Sequence, residues 1–238
     1  MKYVIIDDRI RKIEESKLEQ LQYRTIHTLK NNNLYDEISS HVDIVTCKIE
    51  NKIIVEPNLY NSLKSKISPE KIIKGQEYVK IPYPYDIKYN VCIVGKKAFH
   101  KFEFTDKRIV EELRNQGYEM INTNQGYTNC SVAVIDNNSA IVTDKGLYKI
   151  MQKHGIHTLY LDYEPDIKLL QEAPNVYSSK KGFIGGALSR IGTNIIVFGS
   201  LQKIDKNNQI RNFIKEKNLN LIDFDGLDVI DYGGLVEI

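Results

Sequence analysis

The sequence contains no tryptophan, and only three methionines and three cysteines among 238 residues. Cys47, Cys92 and Cys130 are odd in number and form no CxxC pair, so a disulfide framework is not expected and a reducing, cytoplasmic setting is the simplest one. No run approaches the ~20 consecutive apolar residues of a membrane span, which argues against a membrane as partner. The opening stretch MKYVIIDDRIRKIEE turns to charge after a short apolar run and lacks the basic-then-apolar order of a secretory signal. An excess of one charge is also missing. Lys and Arg number 33 against 31 Asp and Glu, a net of +2, so nothing points to nucleic acid or an anionic surface. There is no GxxxxGK, and no glycine-rich turn leads from a strand into a helix, so no nucleotide site is expected. His154 and His157 have HxxH spacing, but Gly155 breaks the helix between them and no third ligand type lies nearby. A metal site is not expected, and no cofactor is implied.

What is present is a repeat. Residues 43–49 and 52–56 are β-branched runs flanking the turn Glu50-Asn51. Pro57 then stops strand pairing, and Asn58 is placed to cap a helix over 59–67. The same grammar returns at 130–135 and 139–143, with Asp144 as N-cap of a helix over 145–153, Gly155 as its stop, and a third strand at 157–161. It returns at 187–191 and 194–198, followed by a helix over 208–217 and a strand at 219–224. It returns again at 91–94 and 99–104, followed by a helix over 106–115, Gly117 and a strand at 118–122. A fifth copy is split between the ends: 233–238 reads as its first strand, and 2–6 as its second, with a helix from about 8 to 21 and a strand at 23–28. The segments 66–88 and 163–181 hold five of the six prolines and read as loops over one face. The expectation is one α/β domain of ββαβ units, closed by pairing of the N- and C-terminal strands. An open doubly wound sheet is the competing pattern, but it joins single strands through helices, whereas here two strands recur before each helix.

This organisation resembles the pentein, or five-fold pseudosymmetric β/α-propeller, the fold of the guanidino-group-modifying enzymes. The resemblance rests on the repeat across nearly the whole chain, on His41-Val42-Asp43 at the start of one unit, and on Gly185-Gly186 and Gly233-Gly234 at the start of two others. The stretches 124–131 and 182–187 look like those of a functionally uncharacterised bacterial branch. The resemblance implies a small-molecule site in a central channel. There a cysteine of the last repeat attacks the guanidinium carbon, a histidine serves as acid and base, and carboxylates hold the cation. In this chain the last repeat reads Gly233-Gly234-Leu235-Val236-Glu237-Ile238, and no cysteine follows Cys130.

The candidates follow from that comparison, each with a plainer alternative. His41 and Asp43, on a strand, point to one face and suit an acid–base group and a substrate carboxylate; the alternative is a surface pair. Cys130 is the substitute nucleophile, with Asn129 level with Asp43; the alternative is a small buried hydrophobe, as expected for Cys47 and Cys92. Asp231 is a candidate ligand for a cation or a turn residue. Gly185, Gly186 and Gly233 either let a ligand approach the backbone or fit a crowded neck. Two functions stay open: a hydrolase or transferase acting on a guanidino, amidine or amide group, and a non-catalytic binding module for a ligand or macromolecular partner.

Overall fold

The computed structural model describes residues 2–173 and 179–238. It contains five three-stranded sheets of one pattern among the described residues, in which a first strand pairs antiparallel with a second and the second pairs parallel with a third. The chain begins within one such sheet: β1 (Lys2–Ile6), α1 (Lys12–Gln20), β2 (Tyr23–His27). Next come a helical turn α2 (Val42–Val45), β3 (Thr46–Ile49), β4 (Lys52–Val55), α3 (Pro57–Leu63) and β5 (Ile72–Lys74). Then follow β6 (Cys92–Val94), β7 (Lys97–His100), α4 (Lys107–Asn115) and β8 (Glu119–Asn122). The fourth set is β9 (Val132–Asp136), β10 (Ser139–Val142), α5 (Lys145–Lys153) and β11 (His157–Tyr160). After β12 (Ile167–Leu169) and a second helical turn α6 (Ile184–Ala187) come β13 (Leu188–Ile191), β14 (Asn194–Val197), α7 (Gln209–Glu216) and β15 (Asn220–Ile222). The chain ends with β16 (Val229–Asp231) and β17 (Val236–Glu237).

The terminal strands pair as expected: Val4 lies opposite Glu237 and Ile5 opposite Val236. Helix geometry explains how each unit packs. Side chains four apart share a face, and α4 buries Ile109 and Leu113, α5 buries Leu147 and Met151, and α7 buries Ile210 and Ile214. No helix among the described residues is long and apolar enough to cross a membrane.

Several boundaries differ from the sequence reading. The first strands begin later, at Thr46, Val132 and Leu188, because the residues before each curl into a hydrogen-bonded turn. In α2, the Thr46 hydroxyl closes the turn on the Val42 carbonyl at 2.7 Å. Before β9, the Ser131 and Val132 amides donate back to Tyr127 and Asn129. Helix α3 is capped by Glu56, not Asn58. The buried Glu56 carboxylate accepts the Asn58 and Leu59 amides, and Pro57 takes the first helical position, where no amide is needed. Helix α1 starts at Lys12, later than residue 8. The proline-rich segments are not only loop: they contribute β5 and β12, and β12 pairs in parallel with β16, a strand that the repeat pattern did not contain. Residues 174–178 of the second segment lie outside the described residues.

Two N-caps carry different loads. Asp144 accepts one helical amide, from Leu147 at 2.7 Å. Asp106, fully buried, accepts the Arg108 amide of α4, the Gln76 and Glu77 amides of the 66–88 segment, and the Tyr89 hydroxyl. Its loss leaves four donors without their acceptor, the buried Tyr89 hydroxyl among them. Asp106→Ala is therefore expected to cost about 3 kcal/mol or more and Asp144→Ala about 1 kcal/mol, read from urea unfolding at neutral pH.

Candidate functional site

The site is built from the residues that lead into the first strands. Asp43, Asn129, Gly185 and Gly233 each stand three positions before β3, β9, β13 and β17, and Asn90 stands two before β6. Hydrogen bonds join these stretches from one unit to the next. The Asp43 amide donates to Gly233 O (3.2 Å), the Gly234 amide to Gly186 O (3.0 Å), the Gly185 amide to Cys130 O (2.7 Å) and the Asn129 amide to Asn90 O (3.3 Å). The Asn90 side-chain amide donates to Asp43 O at 3.2 Å, which returns the series to its start.

The glycines are explained by this crowding. A Cβ on Gly186 would lie 1.7 Å from Asp231 Oδ1. One on Gly185 would lie 2.2 Å from Asn129 O, and one on Gly233, whose φ is +66°, 2.6 Å from Asp43 Oδ1. Gly185 and Gly186 belong to the helical turn α6 and not to a plain strand lead-in. Their absence of side chains lets protein pack against protein, which is the plainer of the two alternatives.

Beside these bonds sits a buried cluster. His41 and Asp43 are not on a strand. His41 immediately precedes α2 and Asp43 lies within it, so they do not form a pair. The His41 ring faces Asp231, with Nδ1 3.7 Å from Oδ1, and neither ring nitrogen has a well-formed hydrogen bond among the described residues. Burial lowers the His41 pKa, against the pull of Asp231 and Asp7, and so favours the neutral imidazole. Asp231 is held by the Phe183 amide (2.8 Å) and by the Gly233 amide (2.9 Å), the latter a turn contact two residues on. Its carboxyl is pushed up by burial and by Asp43, with His41 opposing.

Asp43 is the second centre. Its Oδ2 accepts from Asn129 Nδ2 at 3.4 Å, whereas its buried Oδ1 has no hydrogen-bond partner among the described residues. Desolvation raises its pKa to about 6. The Cys130 thiol faces this carboxylate and is reached by Asn90 Nδ2 at 3.1 Å. Cys130 lies in a turn, two residues before β9, and only 1% of its surface is exposed, so strand alternation does not set its direction. Burial, then the charges of Asp43 and Asp231, push the thiol well above its usual range. Cys47 and Cys92 are pushed up by burial too, Cys47 to about 12, and Cys92 is an apolar core residue.

Asp43, Asn129, Gly185 and Gly233 form one part of the wall of a cavity of about 490 Å³. The rest of that wall comes from all five first strands, including Thr46 and Lys48 of β3, Ile93 of β6, Val134 of β9, Ser189 and Arg190 of β13, and Glu237 of β17. Among the described residues no cluster of His, Cys, Asp and Glu is arranged to hold a metal ion. Sequence reasoning overlooked Asn90, whose carboxamide reaches both Asp43 and Cys130. The available signal was its place just before an apolar run, as with Asn129.

Residues 5–236 match the model of a family of unknown function, DUF6873. The chain belongs to that family. No curated protein matches it in sequence. Among solved structures it is similar to DDAH from Pseudomonas aeruginosa complexed with citrulline (10% identity, TM-score 0.56, covering 95% of this chain and 91% of that one). It is also similar to the inosamine-phosphate amidinotransferase StrB1 from Streptomyces griseus (11%, 0.55, 95% and 79%) and to the agmatine deiminase of C. jejuni (13%, 0.51, 95% and 87%). The DUF6873 chain thus has the pentein fold of the guanidino-modifying enzymes, as its repeat had suggested.

Two measurements follow. Gly186→Ala forces a methyl group into Asp231 and is expected to cost about 3 kcal/mol in urea unfolding, beyond what an open glycine position loses. For Asp43 the folded pKa lies above the unfolded one, so the folded state holds the extra proton between about pH 4 and pH 6. Stability from this group is present below that window, falls through it, and is lower by about 3 kcal/mol above pH 6. Asp43→Asn is therefore expected to melt above wild type at pH 7, with the gap closing as pH falls to 4. A gap independent of pH would show that Asp43 does not titrate in this way.

Proposed function

We propose that the family member binds a small molecule carrying a guanidinium, amidine or amide group and hydrolyses or transfers that group. The observation that carries this reading is Asp43, which lines the central cavity, faces the Cys130 thiol and has a buried Oδ1 with no hydrogen-bond partner among the described residues. A buried carboxylate oxygen without a donor is costly, and a cationic N–H group is its natural complement. That the first strands of all five units border one cavity supports their arrangement about a common axis, and with it a channel site. The activities of the similar solved proteins point the same way, as an analogy of fold.

In this reading, Asp43 and Asn129 receive the cationic head. Its positive charge offsets the two carboxylates that hold the Cys130 proton, so the thiol gives that proton to neutral His41, and Asp231 stabilises the resulting imidazolium. A C–S bond forms at the amidine carbon and a C–N bond breaks, the amine leaving with the proton from His41. Water then attacks and gives a proton to His41, the C–S bond breaks, and the released thiolate takes that proton back from the His41 imidazolium. In a transferase an acceptor amine replaces the water.

The test is release of ammonia or amine, with a ureido product, from arginine, agmatine and methylated arginines by the purified chain. Turnover is expected, falling at least about a thousandfold in Cys130→Ser and His41→Ala, with Asp43→Asn acting mainly through KM. Binding without turnover would instead support the non-catalytic module, a reading that the occlusion of the thiol favours.

A further inference from the structure

A second cavity, of about 330 Å³, borders the same cluster from a different set of residues. It shares none of its lining with the central cavity. Its ionisable lining is of one sign: Asp144, Asp162 and Glu164, with no Lys, Arg or His. Phe183 and Tyr163 supply aromatic walls. Asp162 and Glu164 are exposed, whereas Ser131, which also lines the cavity, is buried and its Oγ has no hydrogen-bond partner among the described residues.

We propose that this cavity is a binding site for a small organic cation, a primary amine or guanidinium on a short chain. The carboxylates attract it, the ring faces favour a cation over a neutral molecule, and the orphaned Ser131 hydroxyl accepts one of its N–H groups at depth. Tyr163 already displays this preference: the Lys206 ammonium stands 4.2 Å from its ring centroid. The volume suits a molecule of roughly ten heavy atoms, at the lower end of small-ligand sites. The cavity adjoins the buried cluster along the backbone, because Ser131 follows Cys130 and the Phe183 amide donates to Asp231. The site stands whether or not the proposed reaction occurs.

The experiment is calorimetric titration of the full-length chain with agmatine and with putrescine at low ionic strength, with succinate as the anionic control. Saturable binding of both amines is expected, with none of succinate. Asp162→Asn combined with Glu164→Gln, both at exposed positions that leave the fold intact, is expected to weaken it at least about tenfold. Asp43→Asn, which alters only the central cavity, is expected to leave this component unchanged. Absence of saturable amine binding, binding untouched by the double variant, or binding lost in Asp43→Asn alone would each overturn the proposal. Loss of turnover in the absence of any change in this component would bear on the central cavity only.

Discussion

The structure depends on the hydrogen bonds that link Asp43, Gly233, Gly186, Cys130, Asn129 and Asn90 from unit to unit. Each three-stranded sheet is too small to hold its shape alone, since a few short strands bury little surface. Joining the lead-in of every first strand to its neighbour fixes where each sheet stands and what its preceding side chain faces. The bonds form where backbones come within reach of one another, which is why glycine is required where Asp231 and the Asn129 carbonyl press closest. The same close approach shields Asp43 and Asp231 from bulk solvent, with 3% and 1% of their surface exposed.

From that exclusion follow the electrostatics. Asp43, Asp231 and the Cys130 thiol are all held toward their neutral forms by burial, and each negative charge raises the next. His41 is held neutral by the same desolvation. A positive charge beside Asp43 would therefore favour the ionised forms of carboxylate and thiol together, which is the basis of the function proposed above. The backbone donors to Asp231 set it apart from Asp43. One carboxylate accepts two backbone amides and faces a histidine, and the other keeps a buried oxygen without a partner among the described residues.

Much of the fold was legible because turn chemistry and periodicity agree in every unit. Asp144, Gly155 and Gly117 mark helix ends as expected, and the terminal strands pair in the expected manner. The candidate residues named from the sequence lie near one another in the structure, but the local conformation expected for them was wrong. A run such as 43–49 has strand composition throughout, and the helical turn at Val42–Val45 is held by the local Thr46 hydroxyl and by the Gly233 carbonyl, which lies far away in sequence. Asn90 and β16 were missed because their partners come from other units, and a single sequence carries no record of which units touch. Asn58 lost its cap role to Glu56 for a local reason: Pro57 prefers the first helical position, which places the cap one residue earlier.

The pairing of β1 with β17 has a kinetic meaning. Its register joins positions at opposite extremes of the described chain, so this sheet carries nearly the largest loop-closure entropy that the chain can incur. Hairpins such as β3–β4 and β13–β14 close over two residues and are free to form early. The split sheet waits for both extremities, and with it waits the Asp43–Gly233 contact a few residues away. Assembly of the cavity wall is thereby tied to a strand pairing between the two extremes of the described chain, and a chain lacking either end strand has four complete sheets and an unfinished wall.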